Sequence, residues 1–152
     1  MKSLNIIGSG RVGRACGRMW AQAGVFQIQD VLTRSRESAA EAVSFIGAGN
    51  AVGRLEEMRG ADVWMIATRD DAIVPSCMTL AASGKVTPDD VVFHVSGATP
   101  SSDLKPVKEK GALSVQPDNV RRSTLQVIVS AILANLLNPK LSIFFLAFLP
   151  QF

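Results

Sequence analysis

The chain has 152 residues, of which 47% are hydrophobic and 19% charged, and its formal net charge is +3 at pH 7. This length predicts one domain, alone or with an appendage, and it is sufficient to bury a substantial core. The basic residues are dispersed and Arg121-Arg122 is too short a run for a nucleic-acid patch, so no nucleic-acid partner is expected.

Cys16 and Cys77 have neither CxxC nor metal-ligand spacing, and the single histidine excludes a multi-histidine metal centre. We expect both thiols to be reduced and buried. A strand at the start of the chain leaves no export sequence before the fold. The sequence therefore predicts a cytoplasmic protein without a bound metal.

Strands and helices alternate over residues 1–117 and predict an α/β fold, a doubly wound parallel sheet of the Rossmann-like type. Ser38 followed by Glu41 is typical of a capping box at the start of the second helix. The run from Asp62 has no alternation, as expected for a strand covered on both faces. The predicted strands are 4–7, 26–32, a short one beginning at Val52, 62–67, 91–95 and 112–115, and the predicted helices are 12–23, 38–46, 73–83 and 106–110.

A glycine-rich turn, Gly8-Ser9-Gly10-Arg11-Val12-Gly13, joins the first strand to the first helix. In a dinucleotide-binding turn, Gly8 permits the tight turn, Gly10 lets a pyrophosphate approach the backbone, and Gly13 lets the helix pack closely. The helix N-terminus offers N–H groups and partial positive charge to the phosphates. The alternative is a glycine-rich turn in some other α/β protein.

The loop after the second strand, Thr33-Arg34-Ser35-Arg36, decides which dinucleotide is expected. A site for NAD(H) places an acidic residue there, whereas Asp30 lies inside the strand. Arg34 can hold a 2′-phosphate and stack on adenine, and Thr33 and Ser35 add hydroxyl donors. The sequence therefore predicts NADP(H) in preference to NAD(H), unless the loop is only a solvated basic segment.

Polar residues also follow the fourth and fifth strands, at the edge where ligands bind in open α/β sheets. We expect Ala67, Thr68 and Arg69 to face the cofactor, and an aspartate at 70 or 71 to cap the next helix. His94 is either a structural histidine at a strand end or a proton donor to a carbonyl that accepts hydride. Ser96 could donate to a substrate anion or to the nicotinamide. The chain has no tyrosine, which argues against short-chain dehydrogenase chemistry.

Residues 123–152 differ in character, and residues 118–122 form the predicted junction. Residues 123–139 carry no charge, Lys140 is the one charged residue that follows, and residues 141–152 contain four of the seven phenylalanines. The segment is short for a membrane span, which needs about 20 apolar residues. We interpret it as two apolar helical pieces joined at Asn138-Pro139-Lys140, or as a helix that packs on the sheet or on a second subunit.

The glycine-rich turn, the loop after the second strand and the fourth and fifth strand ends together resemble a known domain. It is the Rossmann-like domain related to pyrroline-5-carboxylate reductases, 3-hydroxyisobutyrate dehydrogenases and deazaflavin-dependent NADP oxidoreductases. In the most similar branch a His precedes Pro117, and Gln116 departs from that pattern. Such relatives continue into an all-helical domain that supplies substrate contacts and the dimer interface, and nothing after Pro117 resembles it. Residues 134–152 instead resemble a fragment of the LysE-type lysine/threonine exporters. The first resemblance is carried by residues 6–13, 33–35, 62–73 and 94–98.

The resemblance implies an NADP-binding oxidoreductase that moves hydride to or from a small carbonyl or imine, with weak turnover unless a partner supplies the missing helices. The alternative is a regulatory nucleotide-binding module whose tail docks to a membrane or to a partner helix. A remnant of an exporter fusion is a third reading, and transport itself is excluded by length. The apolar tail also predicts self-association. The predicted cofactor contacts are Gly8, Ser9, Gly10, Arg11, Val12, Gly13, Thr33, Arg34, Ser35, Ala67, Thr68 and Arg69, and the predicted catalytic residues are His94 and Ser96.

Overall fold

Six parallel strands form one sheet in the computed structural model, which describes residues 1–96, 104–111, 113 and 114. The strand order is β3-β2-β1-β4-β5-β6. β1 therefore lies in the middle of the sheet, with β2 and β3 on one side of it and β4, β5 and β6 on the other. The predicted doubly wound α/β sheet is therefore confirmed. The strands are β1 (Lys2–Ile7), β2 (Phe26–Leu32), β3 (Asn50–Val52), β4 (Val63–Ile66), β5 (Val91–His94) and β6 (Leu113–Ser114).

The helices follow the predicted pattern with shifted ends. They are α1 (Arg11–Gln22), α2 (Arg36–Ile46), α3 (Asp70–Ala82) and the short α4 (Lys105–Lys108), and a single 3₁₀ turn spans Leu55–Glu57. These elements belong to one compact unit, Met1–Ser114. The predicted junction and apolar tail lie outside the described residues. Within the described ranges, no helix has the length and apolar character needed to cross a bilayer.

The start of α2 corrects the predicted capping box. Ser35, not Ser38, is the N-cap, and its Oγ accepts a hydrogen bond of 3.2 Å from the backbone N–H of Ser38. The helix therefore begins two residues earlier than predicted, and Glu41 lies too far along it to reach back to the cap. Two serines three residues apart offer the same local signal, and only the observed backbone separates them.

Both faces of the sheet are covered, which explains the continuous apolar strands. On one face, Trp20 of α1 packs edge-on against Phe26 and Phe93, with ring centroids 5.4 and 6.2 Å away. On the other face, Trp64 of β4 lies in a core cluster with Ile73 of α3. All four residues of β4 are buried. Ligands must therefore reach this fold at the ends of the strands, where the loops are.

A buried polar network anchors the connection from β3 to β4, which among the described elements contains the 3₁₀ turn and no α-helix. Asn5 Oδ1 accepts from the Asp30 N–H at 3.0 Å, at the point where the pairing of β1 with β2 shifts by one residue. Asn5 Nδ2 donates to the Arg59 carbonyl at 2.6 Å. The Asp30 carboxylate accepts from the Arg59 N–H at 2.8 Å and from Arg59 Nη2 at 2.7 Å. The network therefore holds in place both the shifted pairing of β1 with β2 and the long connection from β3 to β4.

Candidate functional site

The glycine-rich turn lies between the ends of β2 and β4. The Gly8 N–H donates to the Leu32 carbonyl at 2.7 Å, which ties the turn to the end of β2. Gly8 has φ +83°, and a Cβ added there would lie 2.7 Å from the backbone nitrogen of Thr68. Both the backbone conformation and the contact with β4 therefore require glycine at this position.

Gly13 is required for a different reason, the close packing of α1 on the end of β4. A Cβ at Gly13 would lie 2.7 Å from the Cβ of Ala67 and 3.3 Å from the carbonyl oxygen of Gly8. The Ala67 N–H donates to the Ile7 carbonyl at 2.7 Å and continues the β1–β4 ladder into the site. The structural roles predicted for the first and third glycines are thus visible in the geometry.

Gly10 is not required by the fold. Its φ is −62°, which any residue adopts, and a Cβ there would meet only the Ala67 carbonyl oxygen, at an ordinary 3.7 Å. Gly10 is exposed and is the N-cap of α1, where no side chain caps the helix and no acidic residue occupies the first turn. The open space between Gly10 and the uncapped N-terminus of α1 is called the cradle below. It suits an anion that approaches the backbone closely.

Arginines flank this cradle. Arg14 Nε donates to the Ser9 carbonyl at 2.9 Å and closes the turn from the helix side. Arg11 is exposed and forms no ion pair with a residue that the structure describes. The turn therefore presents positive charge without an internal counter-ion.

The loop after β2 separates the roles of its side chains. The Thr33 hydroxyl donates to the Ser35 carbonyl at 2.8 Å within the loop, and its contact with the cofactor stays a prediction. The Ser35 hydroxyl accepts in the α2 cap and also interacts with the Glu37 carboxylate. Arg36 pairs with Glu57. Arg34 is exposed and has no ion pair within the described part of the chain.

Asp30 is unavailable to a ligand at this loop. It is fully buried and its carboxylate is held by Arg59. Burial raises the pKa of the carboxyl, but the hydrogen bonds and charge of Arg59 outweigh this and hold the pKa below its ordinary value. The loop that follows β2 in the described chain therefore offers Arg34 rather than a carboxylate.

The end of β4 contributes Thr68 and Arg69. The Thr68 hydroxyl oxygen is buried and has no hydrogen-bond partner in the described structure. Arg69 is the N-cap residue of α3 but makes no capping bond with its side chain, and its guanidinium lies 3.3 Å from the Asp71 carboxylate. Asp70 and Asp71 occupy the first turn of α3, where negative charge is favourable, so the prediction that one of them is the cap is wrong.

The end of β5 places His94 next to Ser96. His94 is buried, and its Nδ1 accepts a hydrogen bond of 3.2 Å from the backbone N–H of Ser96. A neutral imidazole that accepts at Nδ1 carries its proton on Nε2. The Val95 N–H donates to the Ile66 carbonyl at 3.2 Å and keeps the ends of β4 and β5 together. Proton donation by His94 and substrate contact by Ser96 stay predictions.

A charged group at the end of β3 was not predicted from the sequence. Glu57 accepts from the Gly53 N–H at 3.2 Å, pairs with Arg36, and lies 3.5 Å from Arg54 Nε. The available signal is the arginine–glutamate spacing of three residues directly after a strand. The pairing of Glu57 with Arg36, which is 21 residues away in sequence, is visible only in the folded structure. Among the described residues no cluster of His, Cys, Asp or Glu could hold a metal ion.

A profile of the Rossmann-like domain family matches residues 1–117, and the chain belongs to this family. Its six-stranded parallel sheet and glycine-rich turn are those of a Rossmann-like domain. No curated protein matches the sequence.

Solved structures with the same fold include proteins described as an oxidoreductase, a dehydrogenase and a reductase. A protein described as an NADP oxidoreductase from Bacteroides fragilis has a TM-score of 0.65 at 15% identity, over 88% of this chain and 57% of its own. Synechocystis arogenate dehydrogenase has a TM-score of 0.60 at 13% identity, over 89% and 56%. A Pseudomonas imine reductase has a TM-score of 0.54 at 23% identity, over 74% and 39%. The chain thus spans about half the length of these proteins, and the exporter resemblance lies outside the family match.

Proposed function

We propose that residues 1–117 bind NADP(H) and act in hydride transfer to or from a small carbonyl or imine. The observation that carries the proposal is Gly10, a glycine that neither backbone conformation nor protein packing requires. A dinucleotide pyrophosphate needs this open space beside the uncapped N-terminus of α1. The names of the structural neighbours support a nicotinamide dinucleotide.

The residues present fit such a group from one end to the other. Backbone N–H groups at the start of α1 would hold the pyrophosphate, with Arg11 adding charge. The ends of β4 and β5 would hold the nicotinamide near Thr68 and Ser96. The Gly8–Leu32 hydrogen bond places the loop after β2 directly beside the turn. The adenine ribose would therefore lie next to Arg34.

The preference for NADP(H) over NAD(H) rests on charge. Arg34 is exposed and unpaired within the described residues, whereas Asp30 is buried against Arg59. A 2′-phosphate is a strong acceptor for a guanidinium, and a 2′-hydroxyl is not. A carboxylate that could accept from the ribose hydroxyl is missing from the described end of β2.

Hydride transfer at the nicotinamide end of the cofactor depends on proton-donating and substrate-binding groups, of which this chain supplies a part. The bound cofactor would supply or accept hydride. His94, whose Nδ1 accepts from the Ser96 N–H, is the proposed proton donor through Nε2, and Ser96 is the proposed substrate contact. Because the chain spans about half of its structural neighbours, we propose that turnover requires helices from a partner chain.

The test is a calorimetric titration of the full chain with NADPH and NADH. We expect wild type to bind NADPH more tightly, and Arg34→Asp to weaken NADPH by about tenfold or more. Arg18→Asp is the matched charge reversal, because Arg18 lies 5.2 Å from the Phe45 ring centroid on the α1–α2 surface. Unchanged NADPH affinity in Arg34→Asp would refute the assignment of the 2′-phosphate site.

The uncharged segment 123–139 favours a second role, docking to a membrane or a partner helix, and self-association of the full chain. Light scattering in detergent-free buffer should show species larger than a monomer. Recovery in a membrane fraction that disappears on deletion of residues 123–152 would support docking. A monodisperse monomer would contradict self-association.

A further inference from the structure

Three arginines follow the paired ends of β2 and β3: Arg34, Arg36 and Arg54. Leu32 of β2 pairs with Val52 of β3, and Arg34 and Arg54 each come two residues after that pair. Neighbouring strands lie about 4.8 Å apart, so the two loops leave the sheet side by side. Parallel pairing therefore brings Arg54 to the same corner as the proposed 2′-phosphate contact.

Glu57 holds two of these arginines in place. One carboxylate oxygen, Oε2, accepts from Arg36 Nη2 and from the Gly53 N–H at 3.2 Å. The other, Oε1, lies 3.5 Å from Arg54 Nε. The hydrogen bond from Gly53 and the charges of the arginines hold the pKa of Glu57 below its ordinary value, so the carboxylate is ionised at neutral pH.

Positive charge exceeds negative charge within these ion pairs. One carboxylate serves Arg36 and Arg54, while Arg34 has no ion pair among the described residues. Glu37 interacts with its own backbone N–H, with Ser35 and with the charge of Arg36, so the three arginines still outnumber Glu37 and Glu57. Arginines gathered around too few carboxylates favour an anion with several acceptor oxygens, such as a phosphate.

We propose that Arg54 is a second cationic contact for the 2′-phosphate, made from the β3 side of the site; the inference rests on the proposed NADP(H) function. The ion pair of Arg54 joins its Nε to Glu57 Oε1 at 3.5 Å, which is longer than a strong charge-assisted hydrogen bond. The side chain is 77% exposed. An exposed ion pair of this kind is weak, so a phosphate dianion can compete for the arginine. Arg36 packs over Gly53 and is bound to Glu57.

The experiment compares NADPH with NADH, which differ only in the 2′-phosphate, by calorimetry on the full chain. We expect Arg54→Ala to weaken NADPH by about tenfold and to change NADH less than about twofold. Arg54→Lys, which keeps the charge but loses the planar fork, should fall between wild type and alanine. Arg18→Ala removes one positive charge from the α1–α2 surface and should leave both affinities unchanged. Thermal unfolding of each variant reports whether the fold is intact.

The outcomes separate this inference from the proposed function. If wild type binds neither dinucleotide, the proposed function fails and Arg54 has no role to test. If wild type prefers NADPH and Arg34→Ala loses the preference while Arg54→Ala keeps it, the proposed function stands and the inference about Arg54 is overturned. An equal loss of NADPH and NADH in a folded Arg54→Ala chain would also overturn it.

Discussion

The N-termini of α1 and α2 follow neighbouring strands at one edge of the sheet, and they are built in opposite ways. At α2, the Ser35 side chain caps the helix and Glu37 lies in the first turn. Its own backbone N–H and Ser35 lower the pKa of Glu37, which therefore supplies an internal anion. At α1, Gly10 provides no cap and the first turn has no acid. The terminus of α2 is satisfied by groups of the protein itself, whereas that of α1 is left open, where we propose that the pyrophosphate binds.

The largest expected effect is on the glycine that the fold requires. Gly8→Ala should destabilise the domain by about 3 kcal/mol or more, because φ is +83° and the new Cβ would lie 2.7 Å from the Thr68 nitrogen. Urea unfolding followed by circular dichroism measures the change. Gly47→Ala is the control: φ is +81° but no atom lies within 4 Å of the added Cβ, so only the conformational cost of about 1 kcal/mol remains. Equal losses would show that the contact with β4 contributes nothing.

Asp30 tests a polar group that the fold needs and a ligand does not. Asp30→Asn should lower stability at pH 7 by about 2 kcal/mol, because Arg59 loses its buried partner. Since the folded-state pKa lies below the ordinary value, the wild-type contribution is present above about pH 4 and is lost as pH falls through the folded pKa. Unfolding curves between neutral and acidic pH should therefore converge for the two proteins. Parallel curves would contradict the assigned ion pair.

Gly10→Ser gives α1 the kind of cap that α2 has. We expect stability to rise by a few tenths of a kcal/mol (about 0.3), because serine at an N-cap is slightly better than glycine. NADPH affinity should fall by about tenfold or more, since the side chain occupies the cradle and engages the N–H groups. Calorimetry on a chain with unchanged or higher unfolding midpoint would separate the two effects. Wild-type affinity in this variant would remove the main support for the pyrophosphate site.

Ser35→Ala is the converse change, and it is expected to affect stability alone. Loss of the hydrogen bond to the Ser38 N–H should destabilise the domain by about 1 kcal/mol. Ser38→Ala should have little effect, because its backbone N–H, not its side chain, takes part in the cap. Denaturant midpoints for the two variants decide between the observed cap and the predicted one.

Local sequence patterns predicted the strands and helices well, but they did not predict which distant side chains pair with each other. The bounds of β2, Phe26–Leu32, coincide with the predicted strand, since apolar residues and flanking breakers are local signals. The glycine-rich turn was placed correctly because its three glycines stand at fixed spacing. The pairs Asp30–Arg59 and Arg36–Glu57 join residues 29 and 21 positions apart. Many charged residues could satisfy the same pattern, so the fold alone selects the partners.

The same limit applies to the candidate site. Residues at the ends of β1, β2, β4 and β5 could be proposed because carboxyl ends of parallel strands share one edge. Which of the loop side chains are already engaged could not be predicted: Thr33 is used within its loop, and Arg34 is left exposed. Arg54 was missed because a three-residue strand gives almost no periodic signal.

The central position of β1 has a consequence for the order of assembly. β1 precedes its second neighbour by a long stretch of chain: β4 ends at Ile66, and Asn5 bonds across 54 residues to Arg59. A nascent chain cannot complete these pairings until that later segment has left the ribosome, and such distant closures slow folding. The glycine-rich turn, which is bounded by Leu32 on one side and Thr68 on the other, must therefore take its final shape late in folding.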